Sequence, residues 1–244
     1  MNFKHVILYS TFALCACTSA LVGPYSFTYI PVQAGNFEIA TWQHITNASS
    51  PVHIYIEGDG YAFDRKGQPT RDPTPRQFFM RNIASQDNSA NIVYMGRPCQ
   101  YIRNNSCDVS DWTDGRFSGE IIDSMHTAIK NISKGRPIIL IGYSGGAMVS
   151  GLLIQKYPDL NVQKWITIAG VLNHRDWTKY FQDTPLKKSL NMTSLPNISQ
   201  IHYIAKNDSV VPNKLSYKWA KKSDIVVIEN ARHDKFPNLE LNFN

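Results

Sequence analysis

A serine hydroxyl is a poor nucleophile until a base takes its proton, and that base needs a partner to fix its ring orientation. In this 244-residue chain, Ser144 stands in the string Gly142-Tyr143-Ser144-Gly145-Gly146, directly after the apolar run Ile138-Ile139-Leu140-Ile141 and before a helical pattern. A Gly-x-Ser-x-Gly string occurs by chance, but a strand before it and a helix after it make a tight turn that exposes the hydroxyl. Two later apolar strands run into loops that carry partners. Ile201 to Ala205 leads into Lys206-Asn207-Asp208-Ser209, and Ile225 to Ile228 leads into Glu229-Asn230-Ala231-Arg232-His233-Asp234. His233 is the only histidine after Asp208, which makes it the candidate base. Asp208, Asp176 and Asp234 are the candidate acids. Asp234 adjoins His233 and is poorly placed to reach its inward ring nitrogen, while Asp208 also sits among residues that favour a turn.

The strand, Gly-x-Ser-x-Gly turn and helix resemble the nucleophile elbow of the α/β-hydrolase family, in which acid and histidine follow the serine on loops after late strands. The resemblance spans about Val52 to His233 and implies Ser144 as nucleophile, Asp208 as acid and His233 as base. It also implies two backbone donors for the oxyanion. One is Gly145, directly after the serine. The other belongs after an early central strand, where Ile56-Glu57-Gly58-Asp59-Gly60 is similar in placement to the His-Gly-Gly-Gly segment of many esterases. Glu57 replaces the usual His and Asp59 replaces one Gly, so the donor is Asp59 with Gly60 as its rival. The expected reaction is cofactor-independent hydrolysis of a carboxylic ester, from a small molecule or a lipid, through an acyl-enzyme. A lipase, phospholipase, thioesterase or peptidase-like acyl hydrolase would use the same machinery. A binding protein on the same fold is the alternative of a different class.

The elements that must position these residues follow from the apolar pattern. Short runs at Val52 to Ile56, Ile92 to Met95, Pro137 to Ile141 and Trp165 to Ala169 read as interior strands buried on both faces. Tyr25 to Ile45 reads as an opening hairpin of Phe27 to Ile30 with Phe37 to Ala40. Thr74-Pro75 predicts a capped helix over Arg76 to Ala84, and Ile121, Ile122, Met125, Ala128 and Ile129 predict a one-sided helix. Strands alternating with helices give a mainly parallel sheet flanked on both faces, a three-layer α/β/α sandwich. Val171 to Ser199 is the main irregular stretch, expected either to wall a substrate pocket or to cover the sheet edge.

The chain is 43% hydrophobic and 18% charged, as a globular core requires, and this excludes a disordered chain. Its net charge of +6 is spread without a basic block, which argues against nucleic acid. His53 in a strand and His126 in an amphipathic helix read as packed or solvent-exposed residues rather than metal ligands. No zinc or dinucleotide signature accompanies them, so no metal and no cofactor is expected. Lys4, the apolar run Val6 to Leu14 and the small residues that follow read as an export signal too short to span a bilayer. Leu14-Cys15-Ala16-Cys17 resembles the lipobox of bacterial lipoproteins. That implies a signal peptide over 1–16, a single domain over 17–244, lipid on Cys17 and attachment to a membrane in the bacterial envelope, with Thr18 resembling an outer-membrane sorting residue. Cleavage near Ser19-Ala20 to give a periplasmic or secreted product is the alternative. Export suits a disulfide between Cys99 and Cys107, the pair left in the body of the chain.

Overall fold

The structure, a computed structural model, describes residues 26–243; the signal segment, Cys17 and Thr18 lie outside the described residues. In chain order the strands are β1 (Thr28–Tyr29), β2 (Val32–Ala34), β3 (Phe37–Ile39), β4 (Thr41–Ile45), β5 (Val52–Ile56), β6 (Asn91–Met95), β7 (Ile138–Tyr143), β8 (Val162–Ile168), β9 (Ser199–Ala205) and β10 (Ile225–Ile228). The helices are α1 (Phe79–Ser85), α2 (Gly119–Ser133), α3 (Gly145–Lys156), α4 (His174–Phe181) and α5 (Asn213–Trp219). Eight strands form one sheet in the order β1-β4-β6-β5-β7-β8-β9-β10. Strands β6, β5, β7, β8, β9 and β10 run parallel, and β4 and β1 close one edge antiparallel.

Alternation along the central strands explains why the sheet is covered on both sides. Ile54, Ile56, Val93, Met95, Ile138 and Leu140 point into one core, shared with Ile122, Met125 and Ile129 of α2 and Met148, Val149 and Leu152 of α3. Their neighbours Tyr55, Ile92, Tyr94, Ile139 and Ile141 point into a second core with Met80 and Ala84 of α1. Full burial of each such aliphatic side chain contributes roughly 1.5–3 kcal/mol, so the paired cores fix the strand register and with it the loops at the carboxyl ends of the strands. Helix α2 carries the expected stripe: Ser118 accepts from the Ile121 amide at its start, Lys134 turns left-handed at its end, and Ile121, Ile122, Met125, Ala128 and Ile129 are all buried.

Two local expectations are corrected. Thr28–Tyr29 pairs not with Phe37–Ile39 but with Trp42 and Gln43 of β4, while β3 folds back on β2 in a separate two-stranded hairpin. Gly35, at φ +62°, makes that tighter turn and leaves β1 free to join the main sheet. The first helix begins at Phe79 rather than Arg76 and has no side-chain cap. The Thr74 hydroxyl accepts from the Tyr101 amide at 2.7 Å instead, and Arg76 lies over the Tyr61 ring at 3.4 Å, so these residues serve the loop rather than the helix.

Candidate active site

Strand β7 ends at Tyr143, α3 begins at Gly145, and Ser144 between them has φ +50° and ψ −119°. Such a backbone conformation costs a non-glycine residue about 1–3 kcal/mol, so the surroundings must hold it. They do so through the main chain: the Ser144 amide donates to Ile168 O at 3.0 Å, and Ser144 O accepts from Ala147 at 3.1 Å and Val171 at 3.0 Å. The flanking glycines are dictated by close approach. A Cβ on Gly142 would stand 2.5 Å from Gly146 O, and one on Gly146 would stand 2.5 Å from Ile56 O.

Ser144, Asp208 and His233 are brought together. The Ser144 Oγ lies 3.1 Å from His233 Nε2, and His233 Nδ1 lies 2.9 Å from Asp208 Oδ2. The other Asp208 oxygen accepts from the amides of Val210 and Val211, each at 2.8 Å. Three donors thus fix a carboxylate whose side chain is 1% exposed, leaving it one productive orientation toward the ring. The turn that Asp208 makes and the contact with His233 are therefore made by different oxygens of one side chain. Asp176 is occupied elsewhere, accepting from Lys218 Nζ and Trp219 Nε1, both at 2.7 Å. Asp234 lines the same cavity as His233.

The loop leaving β5 lies against the serine turn. A Cβ on Gly58 would stand 3.1 Å from Ser144 Cβ, and one on Gly145 would fall 2.0 Å from Asp59 Oδ1. Asp59 and Gly145 are thus neighbours across the two loops. The Asp59 carboxylate pairs with Arg97 Nη1 at 2.5 Å and Arg116 Nε at 3.1 Å. Burial alone would raise this carboxyl, but the Arg116 and Arg97 guanidiniums outweigh burial and hold it below the usual carboxylate range. Glu57 behaves oppositely. It is buried, accepts from the Tyr94 hydroxyl at 2.6 Å and its neighbour's Gly58 amide at 2.9 Å, and burial raises its carboxyl despite those donors. Gln100 completes the support, accepting from the Arg97 amide at 2.9 Å and donating to Gly58 O at 2.9 Å.

Neither Arg97 nor Arg116 stood out in the sequence as a site residue, since each lies far along the chain from Asp59. Cys99 and Cys107 form a disulfide, and Cys99 packs with Phe37, Ala62, Trp112 and Ile121. Ser144 and His233 open onto a cavity of about 1010 Å³ whose wall includes Val171, His174 and Trp177, so the 171–199 stretch does wall the pocket at its first turns. His53 bonds Asp87 at 2.7 Å, and His126 stacks on Tyr157, both outside the cavity lining. Among the described residues, no three His, Cys, Asp or Glu side chains converge as a metal-ligand set would.

No protein-family model and no curated protein sequence matches the chain. Solved structures do. A serine hydrolase involved in carbazole degradation, the CarC enzyme, shares 12% identity over 86% of this chain and 92% of its own, with a TM-score of 0.56. An α/β serine hydrolase without a lid from Xanthomonas campestris shares 13% identity over 86% of this chain and 87% of its own, with a TM-score of 0.50. A bacterial membrane phospholipase A shares 15% over 85% and 80%, also with a TM-score of 0.50. With its parallel sheet flanked on both faces and these structural neighbours, the chain has the α/β-hydrolase fold.

Proposed function

We propose that this protein is a serine hydrolase that cleaves carboxylic esters through an acyl-enzyme. The observation that carries the reading is the continuous chain from Ser144 Oγ to His233 to Asp208, with 3.1 and 2.9 Å contacts at the mouth of a cavity. In this mechanism Asp208 accepts from His233 Nδ1–H, which leaves Nε2 unprotonated and aimed at the serine. His233 takes the Ser144 proton as Oγ attacks the carbonyl carbon. The C–O π electrons move to oxygen, and the amides of Gly145 and Asp59, with Gly60 as the rival second donor, stabilise that charge. Collapse of the tetrahedral intermediate expels the alcohol, which takes the proton from His233. Water, deprotonated by the same ring, then releases the acid and regenerates Ser144.

The Gly145 amide stands in the first turn of α3, where a helix offers its N–H groups no internal acceptor. The loop leaving β5 packs against the serine turn, with a Cβ on Gly58 falling 3.1 Å from Ser144 Cβ, which supports drawing the second donor from that loop. The test is hydrolysis of 4-nitrophenyl esters of increasing chain length by the purified protein and by Ser144→Ala. Turnover lost in the variant supports the reading, and equal turnover by both sinks it. Long-chain preference that rises when substrate aggregates would move the substrate to lipids. Thioester or amide turnover would change the leaving group but keep the machinery. We also propose, on the sequence alone, that Cys17 is lipidated and holds the enzyme on a membrane of the bacterial envelope; palmitate incorporation that survives Cys17→Ser would refute this.

A further inference from the structure

The cavity in front of Ser144 carries more positive charge than the reaction needs. Its wall includes the guanidinium-bearing side chains of Arg65, Arg76, Arg116 and Arg232, set against Glu57, Asp59 and Asp234. Two of those three carboxyls are already committed. Asp59 is held between Arg97 and Arg116, and Glu57 is buried, accepting from the Tyr94 hydroxyl and the Gly58 amide. Arg116 shares the one Asp59 carboxylate with Arg97. The cations on the cavity wall outside that cluster are Arg65, Arg76 and Arg232, set against Asp234.

Those three arginines are exposed and have no ion-pair partner among the described residues. Arg76 is nonetheless fixed, its guanidinium 3.4 Å above the Tyr61 ring, an arrangement that uses the face of the ion and leaves its N–H edge for a ligand. Arg232 directly precedes the base, and Arg65 and Arg76 both lie on the connection between β5 and α1, so two segments distant in sequence meet around one opening. Guanidinium groups recognise carboxylate and phosphate through paired N–H bonds, and a concave wall of like charges concentrates their attraction on one opening.

Building on the hydrolase reading, we infer that the substrate is an ester carrying an anionic group, a carboxylate or phosphate, which Arg65, Arg76 and Arg232 receive while Ser144 meets the ester carbonyl. Such a group can belong to a water-soluble acid or to a lipid headgroup, and the chemistry of recognition is shared. The experiment compares two near-isosteric soluble esters, mono-4-nitrophenyl glutarate and 4-nitrophenyl valerate, and in a second arm 1-acylglycerol-3-phosphate and 1-acylglycerol at equal chain length. Each enzyme is scored by the ratio of kcat/KM for the anionic member to that for the neutral one. The wild-type ratio is expected to be about tenfold or more, from three partly screened charge contacts, and to fall severalfold from 50 to 500 mM salt.

In Arg65→Gln/Arg76→Gln/Arg232→Gln the ratio should drop to about one. A preference confined to the phosphate-lipid arm assigns the anion to a headgroup, and one confined to the glutarate arm assigns it to a soluble acid. Hydrolysis of the neutral esters with no anionic preference in either arm overturns the inference and leaves the hydrolase reading standing. If no ester is hydrolysed, the hydrolase reading fails, and calorimetric titration of Ser144→Ala with the glutarate and valerate esters still decides the anion site: tighter glutarate binding lost in the arginine variant upholds it, equal binding overturns it.

Discussion

The serine turn and the loop leaving β5 touch each other, yet they are held in place by different physics. Ser144 is fixed by main-chain hydrogen bonds to Ile168, Val171 and Ala147 and by glycines that admit no side chain. Asp59 is fixed by charge, between Arg97 and Arg116, with Gln100 bracing the backbone behind it. The first arrangement is local, needing only residues within a few positions of the serine and the neighbouring strands. The second joins segments separated by 38 positions in the case of Arg97. On the proposed mechanism, a nucleophile fixed by backbone can vary its surroundings without losing its geometry, whereas a donor fixed by ion pairs can be lost through any one of its partners.

The sharpest way to break the comparison is at the serine itself. Ser144→Ala should lower kcat by about 10⁵-fold or more with little change in melting temperature, because in the proposed mechanism the hydroxyl carries the chemistry while the main chain carries the turn. A comparable loss of stability would show that the side chain, not the backbone, holds the turn. Asp208→Asn comes next. It replaces an oxygen that accepts from His233 Nδ1 with an amide that can present the wrong partner, and kcat should fall by about 10⁴-fold, read in the same ester assay. A fall of less than tenfold would mean that the ring is oriented without the carboxylate.

At the second region the expected loss is smaller and of mixed kind. Asp59→Asn keeps the backbone amide but removes the charge, so kcat should fall by about 10²-fold through a displaced oxyanion donor while KM for a neutral ester moves little. Stability should fall with it by about 2 kcal/mol, because two buried guanidiniums lose their counter-ion. If kcat is untouched while stability drops, the ion pairs support the fold and not the donor.

This contrast also explains what the sequence made legible. The serine turn could be read because glycine spacing, an apolar strand and a helical pattern are all contiguous, and Asp208 and His233 could be read because each follows an apolar strand directly. The sheet was legible for the same reason, its interior strands being short runs buried on both faces. The opening hairpin was misread because β4 carries Gln43 and His44 and lacks an uninterrupted apolar run, while Gly35 makes a turn that pairing alone decides. The start of α1 was misread because Thr74 has a partner 27 positions away, the Tyr101 amide, that no local pattern reveals. The arginines of the Asp59 network and of the cavity were invisible on similar grounds: a lone arginine in a polar stretch looks the same whether it faces solvent or a site.

Acid acts first on buried histidines outside both loops, and the charge-held loop should outlast them. Burial lowers His202 from 6.5 to about 4, with Asp224 opposing it weakly, and burial likewise lowers His174 to about 4. In each case the unfolded chain binds the proton more readily than the fold does. Stability is therefore fully present above about pH 6.5 and is lost as pH falls toward 4, by an order of 2 kcal/mol for each ring. The Asp59 carboxyl, held below its usual value of 3.8, keeps its charge through this window and gives up its contribution only below it. Thermal melts from pH 7 to 4 should show a decline that His202→Gln roughly halves, while Asp59→Asn shifts the whole curve down without changing its slope. A decline unaffected by His202→Gln would place the acid-sensitive group elsewhere.

The mildest perturbation acts on the charge-held region from a distance. The disulfide between Cys99 and Cys107 closes a loop of eight positions, and a closure of that size restricts the unfolded chain by about 2 kcal/mol. Cys99 lies two residues beyond Arg97 and directly before Gln100, within a stretch where Cys99 and Tyr101 both have positive φ. Reduction should therefore lower the melting temperature and also loosen the Arg97–Asp59 contact, costing turnover severalfold. Among the described residues the serine turn shares no hydrogen bond with that stretch, so on reduction amide hydrogen exchange at Ser144 and Ala147 should quicken less than at Arg97 and Gln100. Equal quickening of both would mean that the two loops move as one unit, and the separation between backbone-held and charge-held halves of the site would have to be given up.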